Sequence, residues 1–163
     1  VVATGLVQHD MDASPLFPRH EVPGYGRDRF EADAALTDAL ELACERMLHQ
    51  LPQRLAAETV ASFGLQAPRL HQGLIVSGDR FVATTAESTA LRRALPEALA
   101  VEMEGAAVAQ VCCDYGIPFT AVRTISDRAD DAAHTDFNRF ISEVASRYSR
   151  AILSQWLAKR SSA

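Results

Sequence analysis

The chain has 163 residues, 48% of them apolar and 23% charged, which is typical of one globular domain with a core of its own. Its net charge of −5 argues against a nucleic-acid partner, because phosphate binding requires a basic surface. No apolar run approaches the roughly 18–20 residues needed to cross a bilayer, so we expect no membrane partner. We also expect no signal peptide, and three cysteines, an odd number, favour a reducing cytoplasm over a disulfide framework.

Apolar patterns along the chain alternate between strand-like and helix-like periods. In order, they predict a strand at residues 1–7, a loop rich in proline and glycine at 8–26, a helix at 31–51, a strand at 72–79, a helix at 87–95, a strand at 99–103, a helix at 105–115 that ends on Gly116, a strand at 118–125, a polar loop at 126–135 and a final helix at 136–159. The apolar side chains predicted to mark the buried side of the final helix are Phe137, Phe140, Ile141, Val144, Tyr148, Ile152, Leu153 and Leu157. The alternation predicts one α/β domain over residues 1–163, with a mostly parallel or mixed central sheet flanked by helices.

Carboxylates stand where two of the predicted strands end. The segment Glu102–Glu104 closes one strand, and Ser126 and Asp127 follow the next one. Open α/β sheets bind ligands outside the carboxyl ends of their strands. We therefore expect these two strand ends to lie side by side on one edge of a parallel sheet and to form a ligand site.

Two carboxylates at this edge, those of Glu104 and Asp127, each have two interpretations. Glu104 could complement the positive end of the following helix, a contribution of about 0.3–1 kcal/mol. It could instead accept hydrogen bonds from two vicinal hydroxyls, such as those of a ribose, because a carboxylate offers two coplanar acceptors and no donor. Asp127 could cap a helix or an Asx turn. It could instead act as a general acid or a hydrogen-bond partner for a leaving group, since a protonated carboxyl can donate a proton to a base as its bond to the sugar breaks.

The segment His9–Asp12 contains residue types that bind metals. No second cluster at ligand spacing accompanies it, so we expect no metal site. A glycine-rich phosphate loop, a nucleophile elbow and a paired CxxC motif are also absent from the sequence, which removes several common enzyme classes. We therefore expect no cofactor.

Three motifs occur in a recognisable order: GLIVSGD at Gly73–Asp79, VEME at Val101–Glu104 and RTISDRAD at Arg123–Asp130. Together with the opening valines and the turn at His9–Asp12, they resemble the 5′-methylthioadenosine/S-adenosylhomocysteine nucleosidases. That family has the purine nucleoside phosphorylase-like α/β fold. The resemblance runs through nearly the whole chain and implies hydrolysis of the N-glycosidic bond of these nucleosides, with release of adenine.

The resemblance also implies a role for each matching residue. Asp127 would protonate N7 of adenine, with Ser126 beside it, and Glu104 would bind the ribose 2′ and 3′ hydroxyls. The other substrate-binding positions are Glu102, in the same motif as Glu104; Met103, under the sugar; Phe81, stacked on adenine, with the backbone of Phe81 and Val82 reading the base edge; Phe137, in the apolar wall around the 5′-thio substituent; and Ala13 and Leu16, which would reach across a homodimer into the partner's pocket.

The family's water-activating glutamate, and the glycine-rich and serine-bearing loops near the sugar, precede the position that matches Val1. By the resemblance, residues 1–163 correspond to the C-terminal two-thirds of a nucleosidase domain that is incomplete at its N-terminus. We therefore predict little or no hydrolase activity for this chain alone. Two alternatives remain open: a purine nucleoside phosphorylase, which needs a phosphate site, and a non-catalytic nucleoside-binding or assembly fragment.

Overall fold

A computed structural model describes residues 1–50, 55–127 and 137–160, without the side chains of residues 159 and 160. The elements in chain order are β1 (Val2–Gln8), β2 (Arg29–Glu31), α1 (Ala34–Gln50), α2 (Ala57–Ser62), β3 (Gln72–Ser77), α3 (Thr85–Ala94), β4 (Ala98–Glu102), α4 (Gly105–Asp114), α5 (Phe137–Phe140), a π-helical turn (Ile141–Ala145) and α6 (Ser146–Arg160). The predicted polar loop beyond Asp127 and the predicted helix start at Asp136 lie outside the described residues. Within the described part of the chain, each helix is too short or too polar to span a membrane.

The four strands form one mixed sheet in the order β2-β1-β3-β4, as the sequence predicted in outline. Strands β1, β3 and β4 run parallel, whereas β2 pairs antiparallel with β1. In β3, Ile75 packs with Ala106 and Ala109 of α4, whereas Val76 lies in a second cluster that includes Leu91 of α3. Because helices cover both faces, successive residues of the strand are buried and its apolar run is continuous.

The start of α1 differs from its prediction. The helix begins at Ala34 rather than at residue 31, because the Asp33 carboxylate accepts a hydrogen bond from the Leu36 amide at 2.8 Å and so caps the first turn. Strand β2 (Arg29–Glu31) ends two residues before this cap and includes Glu31, the predicted first residue of the helix. Neither β2 nor the short helix α2 was predicted from the sequence.

The predicted strand at 118–125 was wrong. This segment makes a single antiparallel bridge, between Val122 and Val2, and is not a parallel neighbour of β4. Its carbonyls accept from separate elements, since Phe119 O accepts from Asp33 N at 2.7 Å and Ala121 O accepts from Ala3 N at 2.8 Å. Beyond Phe119 the segment pairs antiparallel with the start of the chain, where Arg123 N also donates to Val1 O at 2.8 Å, and not with β4.

Only part of the predicted buried side of the last helix is buried. The side chains at four-residue steps, Phe140, Val144, Tyr148 and Ile152, pack against Leu40, Cys44 and Met47 of α1. The neighbouring stripe, predicted to be buried as well, is 39–54% exposed at Phe137, Ile141, Leu153 and Leu157. The last helix therefore carries two apolar stripes along its length. One stripe covers the core, and the other begins at a cavity lined by Phe137 and Ile141.

Candidate active site

A cavity of about 1140 Å³ opens at the carboxyl ends of β3 and β4. The loop before α3, the end of β4, residues 122–127 and the beginning of the last helix form its walls. The predicted site residues that line it are Phe81, Val82, Glu102, Met103, Glu104, Ser126, Asp127 and Phe137. The two motif ends thus meet at one cavity, although the segment that carries Asp127 is not a strand of the sheet.

Glu102 lies at the back of this cavity, with its side chain only 11% exposed. Its carboxylate accepts hydrogen bonds from the Ser77 hydroxyl, from the Gly105 amide at 2.9 Å to each oxygen, and from the Glu104 amide at 3.2 Å. The guanidinium of Arg123 forms an ion pair with the same carboxylate. Burial raises the pKa of the Glu102 carboxyl, but hydrogen bonds from Ser77 and Gly105 and the charge of Arg123 outweigh burial, so the pKa lies below its usual value.

Glu104 faces the opening of the cavity, and its side chain is 71% exposed. It occupies the N-cap position of α4 without a side-chain hydrogen bond to the helix. The amides at the helix start donate to Glu102 instead, so Glu102, and not Glu104, caps the helix with its side chain. The Glu104 carboxylate accepts a hydrogen bond from the side chain of Arg123, whose Nη2 lies 3.4 Å from Glu104 Oε2.

Ser126 and Asp127 form a local pair at the far wall of the cavity. The Ser126 hydroxyl donates to Asp127 Oδ2 at 2.6 Å, and both residues are half-buried. A hydroxyl that donates to one carboxylate oxygen restricts the rotation of that carboxylate and directs its other oxygen. The alternative interpretation of Asp127 as a helix cap concerns the residues after it, which lie outside the described residues.

Two phenylalanines form the apolar side of the cavity. The rings of Phe81 and Phe137 contact edge to face, with centroids 6.5 Å apart and planes at 78°. Both side chains are partly exposed, at 43% and 39%. Partly exposed aromatic rings that meet at a cavity wall offer apolar area for a flat ligand.

The loop that carries Phe81 is held by the cap of α3. The Thr84 hydroxyl accepts from the Glu87 amide at 3.2 Å, and the Glu87 carboxylate accepts from the Ala83 amide at 3.3 Å. Hydrogen bonds from Thr84 and from the Ala83 amide hold the pKa of the Glu87 carboxyl below its usual range. This capping box sets the start of α3 at Thr85, before the predicted start at residue 87.

Comparison with known families agrees with this architecture. The family model described as Phosphorylase superfamily matches residues 1–157, which is nearly the whole chain. The chain belongs to the phosphorylase superfamily.

Relatives of this phosphorylase-superfamily chain carry one recurring name. The chain is 34% identical to the 5′-methylthioadenosine/S-adenosylhomocysteine nucleosidase of Geobacillus kaustophilus over 155 residues, which are 94% of this chain and 58% of the relative. The nucleosidase of that name from Mycobacterium tuberculosis is also 34% identical, over 163 residues, with 94% of this chain and 61% of the relative covered. The resemblance predicted from the three motifs is confirmed.

Solved structures give the same comparison in three dimensions. The nucleosidase of Neisseria meningitidis in complex with methylthio-immucillin-A superposes with a TM-score of 0.78 at 30% identity, over 96% of this chain and 59% of the other. A futalosine hydrolase mutant of Helicobacter pylori superposes with a TM-score of 0.76, also at 30% identity, over 97% and 60%. The chain spans about three fifths of the length of the curated relatives and solved structures named here.

Ala13 and Leu16 do not line the cavity of the superfamily chain. They lie in the loop after β1, where Leu16 is 83% exposed. The loop is tied to the end of β3, because Asp10 Oδ2 accepts from the Asp79 amide at 2.7 Å. Asp12 binds the Ser14 amide at 3.1 Å, so these carboxylates shape turns.

Arg123 and Ser77 were not predicted to be site residues, although both lie inside the three motifs. Arg123 pairs with two glutamates of the cavity, and Ser77 bonds both Glu102 and the Ala106 amide. For Arg123 the sequence held a usable signal, a cation in one motif and two carboxylates in the preceding motif. For Ser77 it held none, because a serine that ends a strand is common.

Proposed function

We propose that this chain forms the nucleoside-binding part of a 5′-methylthioadenosine/S-adenosylhomocysteine nucleosidase. The observation that carries the proposal is one cavity lined by Glu104, by the Ser126–Asp127 pair and by the ring of Phe81. A nucleoside needs acceptors for its sugar hydroxyls, an apolar surface for its base and a proton donor at the base, and this cavity supplies one group of each kind. The names of the relatives and of the solved structures support the same substrate class.

The sugar would be bound by Glu104. Its carboxylate is mostly exposed and keeps acceptor sites for two vicinal hydroxyls, with hydrogen bonds that are charge-assisted. Met103, 40% exposed at the same strand end, would lie under the ribose. The 5′-thio substituent would lie along Phe137, where the last helix presents an apolar stripe.

The base would stack on Phe81 and present its N7 to Asp127. Protonation of N7 makes adenine a better leaving group as the bond between N9 and C1′ breaks, a contribution of about 10²–10⁴-fold in rate. The sugar then carries positive charge, which the carboxylate of Glu104 stabilises more strongly than it stabilises the neutral nucleoside. Water adds to C1′, and the group that takes the proton of this water is not assigned to any residue of this chain.

The names of the relatives favour water over phosphate as the acceptor. The curated relatives and the solved structures named above are nucleosidases or a futalosine hydrolase, which supports hydrolysis. A phosphorylase would need free cationic donors near the sugar, and Arg123 is already engaged with Glu102 and lies 3.4 Å from Glu104 Oε2.

We further propose that the chain acts in the cytoplasm as a homodimer and takes part in methionine salvage. All three cysteines are free thiols, which suits a reducing compartment. The 83% exposure of Leu16 in a loop tied to the edge of the site supports a partner surface there. Ala13 and Leu16 would then complete the pocket of the second subunit.

Calorimetry with methylthioadenosine, adenine and futalosine tests the function. We expect the chain to bind methylthioadenosine and adenine, and we expect adenine release to stay near the background rate with or without added phosphate. Failure to bind either ligand at millimolar concentration would refute the nucleoside site. Formation of ribose 1-phosphate derivatives on addition of phosphate would instead support the phosphorylase.

A further inference from the structure

The carboxylate of Glu102 joins three parts of the fold at one point. Ser77 donates to it from the end of β3, the Gly105 amide donates from the start of α4, and Arg123 reaches it from the irregular segment. The fit is close, because a Cβ at position 105 would lie 2.6 Å from Leu6 Cδ2 and 3.0 Å from Glu102 Oε1. Only glycine therefore brings the helix start this near to the carboxylate.

These donors occupy the acceptor sites of Glu102. Oε1 accepts from Ser77 and Gly105, whereas Oε2 accepts from Arg123 and from the Glu104 and Gly105 amides. A carboxylate has about four lone-pair sites, so a sugar hydroxyl would have to displace a donor of the protein. The substrate contact of Glu102 stays a prediction, and these hydrogen bonds favour a different role.

That role concerns Arg123, which stands between two glutamates. Arg123 pairs with Glu102 through Nη2, and the same nitrogen lies 3.4 Å from Glu104 Oε2. Its buried Nε has no hydrogen-bond partner among the residues that the structure describes. Guanidinium groups prefer bidentate pairs with carboxylates, so an Arg123 released from Glu102 would turn fully to Glu104. It would then cover the oxygens that Glu104 needs for a ligand.

We propose that Glu102 is a positioning residue that keeps Arg123 in a close ion pair, so that Arg123 reaches Glu104 only at 3.4 Å through Oε2 and does not cover both oxygens that would bind two vicinal hydroxyls. The identity of the ligand rests on the proposed function, whereas the arrangement of Glu102, Arg123 and Glu104 does not. Glu102 acts through its neighbours and does not itself touch the nucleoside.

The test compares Glu102→Gln with Glu97→Gln, which removes the same charge from an ion pair with Arg29 outside the cavity. We expect Glu102→Gln to weaken binding of methylthioadenosine about tenfold and of adenine less than twofold, since adenine lacks the hydroxyls. Glu97→Gln should change neither affinity. Glu102→Asp, which keeps the charge, should recover part of the loss.

A double-variant cycle separates positioning from direct contact. If Glu102 acts through Glu104, the Glu102→Gln change adds no further loss of nucleoside affinity in a Glu104→Ala background. A further loss of the same size would overturn the proposal and restore Glu102 as a ligand contact. Equal losses for adenine and for methylthioadenosine would overturn it too, because they indicate a collapsed cavity.

A measurement without ligand keeps the proposal independent of the proposed function. In chain labelled with ¹⁵N-arginine, the Nε–H resonance of Arg123, assigned with Arg123→Lys, should shift on Glu102→Gln and not on Glu97→Gln. An unchanged resonance overturns the positioning role even if nucleosides bind. If wild-type chain binds neither nucleoside nor adenine while the resonance shifts, the proposed function fails and the arrangement of the three side chains stands.

Discussion

Replacement of Ser77 by alanine tests how the end of β3 supports the cavity. Ser77 is 1% exposed, and its hydroxyl accepts from the Ala106 amide at 2.7 Å while it donates to Glu102. Alanine keeps the Cβ and removes only the oxygen. The substitution therefore leaves a buried amide without its acceptor and takes one donor from a buried carboxylate.

The expected loss of stability follows from these two contacts. An unsatisfied buried amide costs about 1–3 kcal/mol, and a hydrogen bond to a charged group contributes about 1.5–3 kcal/mol. Because Glu102 keeps its other donors and a methyl group is easily buried, we expect the lower part of this sum, about 2.5–4 kcal/mol. In a protein of this size, each 1 kcal/mol shifts Tm by about 2–4 °C, so Tm should fall by about 5–15 °C.

Urea unfolding followed by tryptophan fluorescence measures the effect. Trp156 is the only tryptophan of the sequence, and it packs against the core cluster between α1 and the last helix. Ser142→Ala is the matched control, because its hydroxyl makes one exposed hydrogen bond, to Arg139 O at 3.1 Å. That variant should stay within about 0.5 kcal/mol of wild type. If Ser77→Ala unfolds at the same urea concentration as Ser142→Ala, the reasoning about the end of β3 is wrong.

Three further predictions address acid stability, base binding and assembly. The folded pKa of Glu102 lies below its usual 4.5, so its contribution to stability is present above that value and is lost as the pH falls through the folded pKa. Glu102→Gln should therefore flatten the loss of unfolding free energy at acid pH in urea titrations between about pH 3 and pH 6. Phe81→Ala should weaken adenine binding about 5- to 150-fold in calorimetry, since stacking contributes about 1–3 kcal/mol per base, whereas Tyr115→Ala, at an exposed position outside the cavity, should not. Leu16→Glu should convert a dimeric chain into monomers in sedimentation velocity, and a monomeric wild-type chain would contradict the proposed dimer.

The parts of the fold that the sequence predicted well are those with one dominant physical signal. β3 has a continuous apolar run because α3 and α4 cover its two faces, and its start at Gln72 matches the prediction. The end of α4 also followed from one residue, since Gly116 has a φ of +61° and its amide bonds Cys113 O at 3.2 Å. Both features show in the local sequence itself, without knowledge of contacts distant in sequence.

The failures depend on such contacts. The segment 118–125 has the composition of a strand, but its backbone groups bond to β1 and to Asp33, and no local pattern indicates this division. Two apolar stripes follow the last helix, and periodicity alone does not tell which one faces α1. At the site, the motifs placed Glu104 and Asp127 at one cavity, but the pairing of Arg123 with both glutamates required the three-dimensional arrangement.

The sign of the charge around the sugar connects these observations. Glu102, Glu104 and Arg123 together carry one net negative charge, and Asp127 lies on the same cavity. A group of this sign attracts the positive charge that develops on a sugar when its bond to a base breaks, and it repels a phosphate ion. If Arg123 were absent, the carboxylates of Glu102 and Glu104 would repel each other with no cation between them. The arginine thus offsets this repulsion by contacting both carboxylates, and Glu102 in turn keeps the arginine from covering both oxygens of Glu104.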